Sequence, residues 1–282
     1  MLRRKMSTWL IILTVFLVGG GGVIASNYVS AQEILSGVQT AAKPKIDEQL
    51  AKDKIKKLLG DQTIDFKKVE LVPPQGENHP LYLLDSNNGD TFRVDAINGE
   101  ILSATFREGF QNINKKLELA EAKDIAEKFV KNHSSAFKAG KNMVAKEAKL
   151  IDRKSYKEYR FEWREQINDL DTPNMVVIQI DPETGAITGY QSAIFEEFSA
   201  ISTPSIEKEK AIQIAKDHVN LTPSKINTKL QYGRDNQLIW VVELYNTKTL
   251  QDSNNQSFEL KIVKWVTIDA LSGEVVSVID SH

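Results

Sequence analysis

Apolar residues recur along this chain at two spacings, and the two spacings alternate in the same order three times. The first is i, i+3, i+4, i+7, i+8, the period of one buried helix face. Ala122, Ile125, Ala126, Phe129 and Val130 carry it in a middle copy, and Ala211, Ile214, Ala215, His218 and Val219 in a last one. The first copy reads Ala51, Lys54, Ile55, Leu58 and Leu59, followed by Gly60, which suits a helix end because glycine tolerates positive φ. After each stripe come segments of alternating apolar and polar residues, the strand period. Their closing turn has one form, apolar-Asp-x-x-x-Gly: Val94-Asp95 to Gly99, Ile180-Asp181 to Gly185, and Ile268-Asp269 to Gly273.

This pattern predicts helices over 47–59, 117–132 and 206–220, each followed by about four strands. Polar stretches at Asn168–Asn174 and Asn246–Ser257 read as loops that lengthen the second and third copies before their third strands. In the closing turn the Asp side chain accepts a backbone N–H two residues on, and the glycine supplies the left-handed residue. Asp95, Asp181 and Asp269 are therefore expected to build hairpins rather than to catalyse. The expected fold class is α+β: three tandem modules at 46–107, 117–195 and 205–282, each one helix packed on its own antiparallel sheet of about four strands.

The amino terminus adds a targeting segment over 1–31. Arg3, Arg4 and Lys5 precede an apolar run from Trp9 to Val18 that continues through Gly19–Gly22 to Ala25. A basic flank before an apolar stretch is the pattern of an export signal, and Val29-Ser30-Ala31 offers small residues for cleavage after Ala31. The same run is just long enough to span a bilayer as a single helix, so cleavage and anchoring both stay open. Residues 32–45 form a spacer. Either way the bulk of the chain is expected outside the cytoplasmic membrane, on its outer face, in the wall space or secreted.

Composition narrows the function. At 282 residues, 41% hydrophobic and 26% charged, the chain is ordinary globular protein. A net charge of −2 gives no reason to expect nucleic acid. The absence of cysteine excludes disulfides, thiolate nucleophiles and cysteine-bearing zinc sites.

The helical stripes and closing hairpins together resemble the PepSY family. The residues that carry the likeness are Ala122 with Ile125-Ala126, Ile180-Asp181-Pro-Glu-Thr-Gly185-Ala-Ile187, Ala211 with Ile214-Ala215, and Ile268-Asp269-Ala-Leu-Ser-Gly273-Glu-Val275. The first copy departs at Lys54 and Ile55, and its likeness rests on Val94-Asp95 and Gly99-Glu-Ile101. The resemblance implies an extracytoplasmic, non-catalytic, repeated protein of a Gram-positive bacterium. Such proteins include propeptides of secreted metallopeptidases and partners of cell-wall lytic enzymes. With no peptidase domain following, the expected action is in trans.

No catalytic, cofactor-binding or metal-ligating residue is expected. His79, His133, His218 and His282 lack the spacing that brings two imidazoles to one metal. His218 replaces Phe129 in the stripe and reads as a core or half-buried histidine that would cost stability in mild acid. Ser205-Ile-Glu-Lys208 matches Ser-x-x-Lys, but Ser205 reads as a helix N-cap. Glu196-Glu197 is a carboxylate pair in a linker and reads as solvated. Trp163, Trp240 and Trp265 on strands read as core, or else as an exposed aromatic face joined by Tyr156, Tyr159 and Tyr190. The expected function is a binding or regulatory protein that modulates or stabilises a peptidase or cell-wall hydrolase. The alternative is an envelope sensor for a small molecule or glycan.

Overall fold

The same hydrogen bonds close the hairpin in all three copies. Gly99, Gly185 and Gly273 donate their N–H groups to the carbonyls of Asp95, Asp181 and Asp269, each at 2.9 Å. The three Asp N–H groups donate in turn to Glu100, Ala186 and Glu274, again at 2.9 Å. The glycines have φ of 74°, 72° and 81°, a conformation in which a Cβ is strained, so glycine is the residue this turn requires. The Asp side chains face inward on the turn: Asp95 accepts from Ile97 N, Asp181 from Glu183 N, and Asp269 from Leu271 and Ser272 N. The backbone donation from Ser272 holds the Asp269 carboxyl below its ordinary pKa. All three aspartates thus occupy hairpin turns.

These details come from a computed structural model that describes Leu13, Thr14, Ser26, Asn27, Phe198 and residues 43–73, 79–153, 156–195, 203–219, 222–234, 236–251 and 257–281. Leu13–Thr14 (β1) pairs with Ser26–Asn27 (β2). The first copy supplies α1 (Glu48–Leu59), β3 (Phe66–Val72), β4 (Leu81–Ser86), β5 (Thr91–Asp95) and β6 (Ile101–Phe110). The second supplies α2 (Leu119–His133), the short α3 (Ser135–Lys138), β7 (Met143–Arg153), β8 (Tyr156–Ile167), β9 (Leu170–Ile180) and β10 (Ile187–Ala193). The third supplies α4 (Lys208–Val219), β11 (Lys225–Tyr232), β12 (Leu238–Gln251), β13 (Ser257–Asp269) and β14 (Val275–Ser281). The rest of the targeting segment at 1–31 lies outside the described residues, and among those described no helix is long and apolar enough to cross a membrane.

Three separate helix-on-sheet modules do not form. β6 pairs antiparallel with β10, so the first two copies share one eight-stranded sheet in the order β3-β4-β5-β6-β10-β9-β8-β7. The third copy keeps its own four-stranded sheet, β11-β12-β13-β14. The protein is mostly β, and it divides into two compact units: Val38–Ala200, and Ile201–His282 with Met1–Gly37. Strand periodicity reports which face of a strand is buried and carries no information about which edge another strand will join, which is why the seam was missed.

One core crosses the seam. Rings run from Phe66 through Phe92, Phe106, Phe110 and Phe129 to Tyr190, with successive centroids 5.2–6.3 Å apart. Ala51, Ile55 and Leu58 of α1 and Ala122, Ala126 and Phe129 of α2 pack into that same cluster. α1 begins at an Asp47 cap that accepts from Leu50 N, and ends at Gly60 in the left-handed conformation. α2 begins with a capping box between Glu118 and Glu121.

The long helix of each copy (α1, α2 and α4) is held at its approach by a device that repeats three times. The residue two positions before the helix donates its N–H to the carbonyl just after the hairpin Asp: Ile46 to Ala96, Leu117 to Pro182 and Ile206 to Ala270, at 2.8–3.0 Å. The carbonyl of that same residue accepts from an aromatic side chain on the copy's second strand. Tyr82 donates to Ile46 and Tyr159 to Leu117, both at 3.1 Å, and Trp240 Nε1 donates to Ile206 at 2.7 Å. Helix approach, hairpin and sheet are thereby tied at one point. Ser205 shares in this: its N–H joins Ala270, and α4 starts only at Lys208, so Ser205 is not the helix cap.

The two polar stretches expected as loops are mostly strand. β8 and β9 meet in a two-residue turn at Asn168-Asp169, both with positive φ, and β9 begins at Leu170. That is the asparagine- and aspartate-favouring turn that matches strand twist. β12 likewise runs on to Gln251 and β13 starts at Ser257.

Candidate interaction surface

Alternation along β12 decides what each side of the third sheet presents. Leu238, Trp240, Val242 and Leu244 are buried, and Trp240 reaches the approach to α4. Glu243 and Tyr245 therefore lie on the face opposite α4, which no helix among the described residues of this copy covers. Register sets Glu243 between Asn227 of β11 and Trp265 of β13.

Those four side chains form one network centred on the carboxylate. Tyr245 donates its hydroxyl to Glu243 Oε2 at 2.6 Å and Asn227 Nδ2 donates to the same oxygen at 3.0 Å. Trp265 Nε1 donates to Glu243 Oε1 at 3.2 Å. The Lys225 ammonium lies 5.5 Å from the centre of the Tyr245 ring, within cation–π range. Burial, followed by its bond to Glu243, pushes the Tyr245 hydroxyl up to about 12. Glu243, Tyr245 and Trp265 are half-buried, so the sheet face offers fixed rings and an oriented carboxylate to a partner. Rings with few rotatable bonds, locked by hydrogen bonds, lose little entropy on binding.

The helix-free face of the larger sheet is built differently. There Arg160 lies between Glu147 and Glu162, at 3.2 Å from each, and Arg164 Nε approaches Glu162 Oε1 at 2.7 Å. Lys149 closes the ladder on Glu147. Arg160 and Glu162 are buried and mutually compensated, so little of their charge is left for a partner. At the end of that sheet the buried Glu165 accepts from Lys141, Thr172 and Asn174.

The residues singled out in the sequence scatter. Trp163 is core, edge-on to Phe137, and Tyr159 and Tyr190 are buried, while Tyr156 is exposed. Trp240 anchors the approach to α4, and Trp265 alone of the three tryptophans joins the helix-free face. Tyr245 was missed, although its alternation with Leu244 marks it as outward. His218 is exposed in the last turn of α4, whose buried face is only Ala211 and Ala215. The expected core histidine, and the acid sensitivity that rested on it, is thus corrected. His133 is half-buried against Phe129, and burial, then Lys138, lowers its pKa. His79 lies 2.7 Å from Asp95. Glu196, Glu197 and His282 lie outside the described residues. Among the described residues no group of three or more His, Asp or Glu side chains could hold a metal ion. A shallow open depression beside α1, lined by Gln49, Lys52, Lys56, Phe66 and Asn87, is polar and far from the Glu243 network in sequence.

Two family models match the chain. Residues 85–194 match the YcdB, YcdC repeated domain, and residues 205–279 match the peptidase propeptide and YPEB domain, PepSY. No curated protein matches. A solved structure, that of an uncharacterized protein from Eubacterium rectale ATCC 33656, is similar at 16% identity over 84% of each chain, with a TM-score of 0.48.

Proposed function

We propose, from the match of residues 205–279 to the PepSY domain, that this chain is a non-enzymatic regulator acting outside the cytoplasmic membrane. Its partner is a peptidase or a cell-wall hydrolase, bound in trans and held inactive or stabilised. PepSY domains are associated with propeptide and regulatory roles, are generally non-catalytic and are typically extracytoplasmic. The observation that carries the reading to a surface is the Glu243 network. It lies within the stretch that matches the propeptide family, on the sheet face opposite α4.

Chemistry supports the pairing. A partner loop that places a backbone N–H or a cationic side chain at Glu243 finds a preset acceptor flanked by Trp265 and Tyr245, the residue types that dominate binding hot spots. The test is crosslinking and affinity capture with the full chain from intact cells, beside a Trp265→Ala, Tyr245→Ala double variant. Recovery of a peptidase or wall hydrolase by the wild type, reduced at least about tenfold by the variant, is the expected result. Recovery of no such enzyme, with thermal stabilisation by a small molecule or glycan instead, overturns it.

A further inference from the structure

The strand that follows the repeated hairpin is β6 in the first copy, β10 in the second and β14 in the third. Each carries a bulge at the same place. Pairing with the preceding strand skips one residue, at Leu102 in β6, Thr188 in β10 and Val276 in β14, three positions after the hairpin glycine in every case. The three strands are therefore equivalent residue by residue. Two of them are joined to each other, and the third lies at the rim of its sheet with no described strand beyond it.

The register at the centre of the join is symmetric, before a shift that pairs Ile187 with Phe110. Ala104 pairs with Tyr190, and both are the fifth residue after their hairpin glycine. On either side Ser103 pairs with Gln191 and Thr105 with Gly189, positions four and six exchanged. An internal two-fold thus passes through the Ala104–Tyr190 pair, and both residues are buried. The equivalent residue of β14 is Val278, which is 39% exposed, beside Val276 at 53%.

Edge composition separates the strands in the same way. The outer strands β3, β7 and β11 all carry lysine: Lys67 and Lys68, Lys146 and Lys149, Lys225 and Lys229. Charged side chains, lysine above all, are how proteins keep a free edge from adding a strand. β6 and β10, which are joined, have no lysine, and neither has β14, whose sequence is Val-Val-Ser-Val-Ile-Asp-Ser. Its one charged residue, Asp280, is paired with Lys264.

We propose that β14 is the dimerisation edge of this protein, pairing antiparallel with β14 of a second copy in the register of the β6–β10 seam. The two-fold passes through Val278 against Val278, with Ser277 opposite Ile279 on both sides. The result is a second eight-stranded sheet with the strand order of the first, formed between two chains instead of within one. A self-complementary edge of this kind closes at two copies and does not propagate.

The chain has no cysteine, so single substitutions report the register directly. Residues opposed in an antiparallel pair have Cα atoms about 4.5–5.5 Å apart, within disulfide reach. In the purified full chain under mild oxidation, Val278→Cys forms a covalent dimer. Val276→Cys, more exposed but off the axis, forms far less. A mixture of Ser277→Cys chain with tagged Ile279→Cys chain gives the mixed dimer in preference to either homodimer. Val278→Asp, which sets two carboxylates at the axis, returns the non-oxidised chain to monomer by sedimentation with its thermal melt retained. Equal cross-linking at Val276 and Val278, or a monomeric wild-type chain, overturns the proposal. So does a dimer that survives Val278→Asp.

Discussion

β6 and β14 are the same strand in two copies of one repeat, yet β6 lies in the middle of a sheet and β14 at a rim. Everything local to them agrees: the hairpin hydrogen bonds, the glycine φ, the bulge three residues on and the carbonyl that receives the helix approach. What differs is the neighbour. In the first sheet a shared aromatic row and two helices cover the join, whereas the third copy has one helix whose buried face is two alanines. Local sequence therefore specifies the repeat, and edge composition with helix bulk decides what the repeat is joined to.

That contrast is broken most severely at Trp240. The third sheet has the thinner cover, so the ring that ties β12 to Ile206 carries more of its core than Tyr159 carries in the larger sheet. Trp240→Ala removes both ring and hydrogen bond and is expected to cost roughly 3–5 kcal/mol. Tyr159→Phe keeps the ring and loses about 1 kcal/mol. Amide exchange checks this. In Trp240→Ala, protection is lost across β12 and β13 and retained in β8 and β9. Loss spread evenly over both sheets would show that the two do not differ in this way.

A second, smaller contrast lies at the hairpin glycine. Gly185 and Gly273 share a positive φ, so either change to alanine strains the backbone by about 1–2 kcal/mol. At Gly185 an added Cβ would also meet Ile113 Cγ1 at 2.6 Å and Leu117 Cδ1 at 3.1 Å, while at Gly273 the nearest atoms are 3.4 Å away. Gly185→Ala is expected to cost roughly 2–4 kcal/mol and Gly273→Ala only the strain. Denaturant midpoints of the two variants, with probes in each sheet, measure the difference. Equal losses would mean that the segment from β6 to α2 yields freely.

The parts of this fold that were legible in the sequence are those with a short period or a fixed turn. Ala51, Ile55, Ala122, Phe129, Ala211 and Ala215 were marked by helical spacing, and Asp95, Asp181 and Asp269 by the turn they cap. The seam was not legible, because pairing of β6 with β10 joins residues about 80 positions apart and leaves no local trace. The turn at Asn168-Asp169 was hidden by polar neighbours, Asp171, Thr172 and Asn174, which are buried among partners and not solvated. His218 shows the opposite error: a place in the stripe does not ensure burial in the last turn of a helix with a narrow buried face. The Glu243 network was half visible. Trp265 was noted for its type, but Tyr245 and Asn227 gain meaning only from cross-strand register.

Glu100 offers a finer probe of the seam. It follows the hairpin glycine of the first copy, accepts from Ser192 Oγ of β10 at 3.1 Å, and is half-buried, whereas Glu274 at the same turn position in the third copy is exposed. Burial raises the Glu100 pKa, and the Ser135 and Ser192 hydroxyls only partly offset it. A raised folded pKa means that this group favours the folded state fully below its ordinary value near 4.5. That contribution is then lost as pH rises through the folded value. Glu100→Gln keeps a side chain able to bond Ser192 and removes the buried charge. Its melting temperature is expected to gain on the wild type as pH goes from 4 to 7, with Glu274→Gln as the exposed control. A gap that shrinks with rising pH would contradict the burial of that carboxylate at the seam.

The smallest expected effect is at Tyr245, and it asks whether the helix-free face of the third sheet is preset. Its hydroxyl is held up at about 12, so the neutral phenol is favoured in the folded protein. The sign follows directly. This contribution is complete below the ordinary tyrosine value near 10 and disappears as pH climbs from there through about 12. Tyr245→Phe keeps the ring beside Lys225 and removes one donor from Glu243, for a loss of about 0.5 kcal/mol at neutral pH. It should also flatten the alkaline arm of the stability curve and remove one late-titrating phenol from the ultraviolet titration. Trp265 donates to the other oxygen of the same carboxylate, so its fluorescence should respond to the substitution although the two rings belong to different strands. An unchanged spectrum and an unchanged alkaline arm would mean that Glu243 is oriented without Tyr245. The face would then be assembled by its partner rather than before it.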